Sequence, residues 1–87
     1  MPTPAPDPYL MRIAANIVEA RKARGMSRQQ LADRAEIHHV RLGRIERGIQ
    51  NFNMATLRRL ALGLSIPPAE LLLGVDLSLL RESLLDD

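Results

Sequence analysis

Between Gly25 and Gly48 the sequence sets out two short helices with a tight turn between them, and that run limits the fold more than any other. Ser27 and Gln30 stand in the S-x-x-Q relation of a capping box, in which each side chain satisfies a backbone donor near the other. Leu31, Ala32 and Ala35 make the inner face of the helix that follows, which ends near Ala35. A second helix is predicted from His38 to Arg47, with Leu42 and Ile45 inward and Gly48 as its stop. Where the two helices cross closely the first needs a small residue, and Ala32 supplies it. Leu31, Ile37, Leu42 and Ile45 fill the wedge between them.

The same periodicity extends on both sides. Met1 to Pro8 carries four prolines and little to bury, so residues 1–8 are expected as a flexible arm. From Tyr9, the residues Leu10, Ile13, Ile17 and Ala20 recur at helical spacing, and Gly25 closes that first helix. Asn53 is the cap expected for a fourth helix, whose apolar face is Met54, Leu57, Leu60, Ala61 and Leu64. Ile66-Pro67-Pro68 breaks it and begins a fifth, Pro67 to Leu73, ended by Gly74. Asp76 to Leu85 is a candidate sixth segment, with Leu77, Leu80 and Leu84 on one face and Leu79 and Leu85 off it. The expected fold is therefore all-α, with a helical domain over 9–74 and a C-terminal segment over 75–87.

Composition agrees with one small helical core. In 87 residues, 46% are apolar but only one is Tyr and one Phe, so Leu, Ile and Ala must fill the interior. With no Cys, disulfides and Cys-based zinc sites are excluded. No apolar run approaches the roughly 18 residues of a membrane span. The N-terminus also lacks a signal-peptide pattern, and a cytoplasmic protein is the expectation. Charge is unevenly spread. Residues 1–50 carry nine Lys or Arg against five Asp or Glu, and residues 51–87 carry three against five. The basic half suits a polyanion, although a solvated surface with chance asymmetry gives the same count.

Two short helices around a tight turn, the second bearing exposed polar residues, describe a helix-turn-helix. The stretch Ala20 to Leu73, with its runs ARKARGMSRQQLADRAEI, RLGRIERG and NMATLRRLALGLSIPPAELLLG, resembles the phage repressor/Cro-type (XRE-like) helix-turn-helix family. The resemblance implies a five-helix bundle whose third helix enters the major groove of double-stranded DNA, in a homodimer on a two-fold operator. Three positions depart from the family pattern. Glu36 stands in the turn where Gly is usual, Arg28 opens the second helix where Gln is usual, and His38 takes the place of a Ser or Thr cap.

By resemblance, His39, Val40 and Arg44 match the base-contacting positions. Arg44 is suited to a bidentate pair with guanine, Val40 to a thymine methyl, and His39 to donation to a base or phosphate. Backbone contacts are expected from Arg28, Arg41, Arg47, Asn51 and Asn53, which position the protein without specifying sequence. Arg21 and Glu46 match a buried structural ion pair of the family and are assigned to the scaffold.

The tandem His38-His39 does not make a metal site, because adjacent helical residues point in different directions. Ser27, Ser65, Ser78 and Ser83 lack a nucleophile-elbow context, and no Gly-rich phosphate loop is present. Neither an enzyme nor a cofactor is expected.

The C-terminal third holds more Leu than so small a core needs. Leu62, Leu72, Leu73, Val75, Leu77, Leu80 and Leu84 are assigned to a dimer interface; the alternative is that the tail folds back on helices one and five. The pattern Asn53, Thr56, Leu57, Leu60, Ala61 also resembles the controller proteins of restriction–modification systems, which implies an autoregulator of its own operon. The competing reading is an antitoxin that neutralises a toxin protein while repressing its operon. A third is an interaction module with a vestigial DNA surface.

Overall fold

The structure, a computed structural model, describes residues 7–85. Five α-helices follow in order: α1 Pro8–Ala23, α2 Arg28–Ala35, α3 His39–Glu46, α4 Met54–Leu64 and α5 Leu77–Leu85. A 3-10 turn, Pro68–Leu72, lies between α4 and α5. Among the described residues there is no strand.

Residues 1–6 of the expected arm lie outside the described residues. Asp7 and Pro8 are not arm at all. The Asp7 carboxylate accepts from the backbone N–H of Tyr9 at 2.9 Å and of Leu10 at 3.4 Å, and Pro8 sits in the first turn, where its missing N–H costs nothing. The helix therefore starts one residue earlier than the apolar stripe suggests.

The fifth predicted helix is the five-residue 3-10 turn, too short for an α-helical ladder after Pro67-Pro68. Its exit is pinned to α1 by Asn16, whose amide donates to the carbonyls of Leu71 (2.9 Å) and Leu73 (2.8 Å).

Helices of eight residues such as α2 and α3 are marginal in isolation, so packing must hold them. Ile17, Leu31, Leu42, Ile45, Leu60, Leu64 and Leu71 are fully buried, and they come from all of α1 to α4 and the 3-10 turn. Helices α2 and α4 pack closely. Gly63 of α4 faces Leu31 and Ala35 there, and an ideal Cβ on Gly63 would lie 3.3 Å from the Ala35 backbone nitrogen. Ala32 is buried as expected, but Gly63 is a second small-residue requirement that periodicity did not expose.

The tail divides between the two readings offered for it. Helix α5 packs on α1, and Leu79 lines the groove between them with Pro8, Met11, Arg12, Ala15 and Glu82. Leu79, off the shared face in sequence, thus turns towards the domain. Leu72 and Val75, also assigned to the interface, are half-buried against the chain's own core. Leu62, Leu73, Leu77 and Leu84 remain exposed, Leu62 at 77% and Leu84 at 67%.

Candidate nucleic-acid interface

The interface is built outward from the turn between α2 and α3. Both arms of the Ser27–Gln30 capping box are formed: Gln30 N–H donates to Ser27 Oγ at 3.1 Å, and Ser27 N–H donates to Gln30 Oε1 at 2.8 Å. Helix α2 ends in Glu36, which is left-handed with φ 54° and ψ 46°. A non-glycine residue there costs about 1 kcal/mol. The strain is offset by what the turn achieves. Ile37 N–H returns to the Ala32 carbonyl at 3.0 Å, and the Ile37 side chain enters the wedge between the helices.

His38 then caps α3. Its Nδ1 accepts from the Val40 N–H at 3.2 Å, which fixes the proton of the neutral ring on Nε2. The His39 ring stacks on it, with centroids 4.8 Å apart. His38 thus fills the role of the usual Ser or Thr cap with a ring nitrogen. Replacing it with Ala should destabilise the domain by about 1 kcal/mol. Urea unfolding of the His38→Ala variant measures this, and an unchanged midpoint would show that the cap carries no weight.

Along α3, Leu42, Ile45 and Glu46 face inward, while His39, Val40, Arg44 and Arg47 are exposed. Val40, Arg44 and Arg47 are spaced i, i+4, i+7 and form one outward stripe. His39 belongs to the neighbouring stripe with Gly43 and Glu46, next to α2.

Arg41 is half-buried, with a terminal nitrogen 3.4 Å from Thr56 Oγ1, so it leans on the start of α4. Asn53 uses its carbonyl oxygen to cap α4, accepting from Thr56 N–H at 2.9 Å; Asn51 accepts from Phe52 N–H at 2.8 Å. Only the amide ends of these two side chains are left for another acceptor.

Arg21 and Glu46 form a buried, two-point ion pair. Arg21 Nε lies 2.8 Å from Glu46 Oε2, and an Arg21 terminal nitrogen lies 3.2 Å from Oε1. Arg21 also donates to the Met26 carbonyl at 2.9 Å. The two side chains are 11% and 2% exposed. Arg28 does not stand free, as the reading of it as a plain phosphate contact supposes. Its Nε donates to Glu46 Oε1 at 3.0 Å, and it lies across Gly43.

Among the described residues no group of three or more His, Cys, Asp or Glu is placed to hold a metal ion. No helix is long and apolar enough to cross a membrane.

The helix-turn-helix (HTH_3) family model matches residues 17–71, the span from the middle of α1 through the 3-10 turn. The chain belongs to the helix-turn-helix (HTH_3) family. Solved structures share its fold. The restriction-modification controller protein C.AhdI from Aeromonas hydrophila is 32% identical with a TM-score of 0.70, covering 71% of this chain and 94% of its own. An HTH_3 family transcriptional regulator from Vibrio cholerae is 29% identical with a TM-score of 0.74; it covers 90% of this chain, which spans 43% of that protein. The controller protein C.Esp1396I, 20% identical with a TM-score of 0.69 over 91% of this chain and 96% of its own, is alike in fold alone. No curated protein matches the sequence.

Proposed function

We propose that this protein is a sequence-specific DNA-binding transcriptional regulator that inserts α3 into the major groove. The observation that carries the reading is the outward stripe Val40, Arg44 and Arg47 on a helix whose other face is locked into the core. Arg44 reads guanine, Val40 meets a thymine methyl, and His39 donates at the edge of the contact. Arg28, Arg41, Arg47, Asn51 and Asn53 hold phosphates, with the positive ends of the helix N-termini.

The protein acts as a homodimer. Leu62, Leu73, Leu77, Leu80 and Leu84 leave more apolar surface outside than a small monomer needs, and a two-fold pair brings two copies of α3 to successive turns of the duplex. Its likeness to C.AhdI over nearly all of that protein supports a role as the controller of restriction–modification genes, in the cytoplasm of a bacterium. Function as a regulator assigns no catalytic step to the chain.

The test is selection of bound duplexes from a random pool, followed by affinity measurements on the selected sequence. Arg44→Ala should lose about tenfold in affinity and relax the preference at one base pair of each half-site. Equal discrimination by the variant and the wild type would remove Arg44 from base reading.

A further inference from the structure

Glu46 is shared. Its buried carboxylate gives one oxygen to Arg21 Nε at 2.8 Å, and the other to an Arg21 terminal nitrogen at 3.2 Å and to Arg28 Nε at 3.0 Å. Two guanidiniums on one carboxylate leave a single positive charge where α1, α2 and α3 meet. The partners differ in exposure, with Arg21 at 11% and Arg28 at 51%. The Arg28 stem and its Nη1 lie 3.8 Å from the Cβ position of Gly43, so the side chain rests on α3 one turn after His39.

We propose that Arg28 is a tethered bridge, fixed by Glu46 through Nε so that its terminal nitrogens are held out to a DNA phosphate beside the reading stripe. The inference rests on the DNA-binding reading above. A guanidinium is planar, with its N–H groups in a rigid fork. Anchoring Nε therefore aims the opposite edge of the same plane, and the entropy of ordering a long side chain is already spent before DNA arrives. The buried Arg21–Glu46 pair in turn fixes the anchor, and Arg28 packs across Gly43 at ordinary contact distance. Glu46 thereby acts as a positioning residue for a phosphate contact it does not itself make.

Lysine distinguishes this from a free surface charge. It keeps the charge, but it has one nitrogen and cannot hold Glu46 and present a fixed fork as well. On a duplex selected by the wild-type protein, Arg28→Lys should lose about tenfold in affinity, close to the loss in Arg28→Gln. Both variants should lower the slope of log affinity against log salt by about one. Urea unfolding without DNA should change little in either variant, because a half-exposed ion pair contributes little to stability. An Arg28→Lys variant that binds within about twofold of wild type with an unchanged salt slope would show a free charge and overturn the proposal. So would an Arg28→Gln variant with undiminished affinity. A wild-type protein that enriches no duplex defeats the DNA-binding reading itself, and that failure is visible in the wild-type arm alone.

Discussion

Glu46→Ala should lower the free energy of unfolding by about 3–5 kcal/mol, because it strands a buried charge. Arg21 keeps its bond to the Met26 carbonyl but loses both contacts to the carboxylate, and its side chain is only 11% exposed. A half-exposed Arg28 reaches water when its partner is removed; Arg21, packed between α1 and α3, does not. Small domains have about 5–15 kcal/mol in total, so the variant should be close to unfolded at growth temperature. The effect should be much larger than that of Arg28→Gln, which cuts the same carboxylate's other contact. Urea denaturation followed by circular dichroism compares the two. A loss below about 1 kcal/mol for Glu46→Ala would mean that the pair behaves as a surface salt bridge.

Gly63→Val should cost about 3 kcal/mol, at the upper end of the usual overpacking range. A Cβ at that position would stand 3.1 Å from Leu31 Cδ1, 3.3 Å from the Ala35 backbone nitrogen and 3.4 Å from Ala35 Cβ. Leu31 has rotamers to move through, but the backbone of Ala35 does not. It is fixed by the helix and by the left-handed turn that follows. The two extra methyl groups of valine must therefore push α4 away from α2 across a closely packed crossing. Because α2 carries the turn that aims α3, the variant should also bind DNA less well than its residual folded fraction would allow. An unchanged thermal midpoint would show that α2 and α4 separate freely.

Much of this was legible in the sequence. The capping box, the apolar stripes of α1 and α4 and the ends of α2 and α3 each rest on local rules, and local rules can be read from one chain. The Arg21–Glu46 pair came from resemblance, and the structure supplies its two-point geometry. What periodicity could not give was anything decided between elements. Arg28 is fully consistent with a free cation at a helix start until Glu46 is seen 3.0 Å away. Leu72 and Val75 look like surplus apolar surface until they are seen half-buried against the core. Gly63 reads as a weak point in α4 until its neighbour is known. Glu36 and Ser65 both adopt left-handed backbone with no glycine to mark it. Only Glu36 was open to suspicion, because it stands where the family pattern has Gly.

Competition binding measures the central claim most directly. The wild-type protein is equilibrated at physiological salt with a duplex selected from a random pool, against a scrambled duplex of the same length and composition. The expected result is a preference of roughly 10³-fold or more for the selected duplex. Affinity for both duplexes should fall as salt is raised. Equal affinity for the two duplexes would contradict it, whatever the strength of binding.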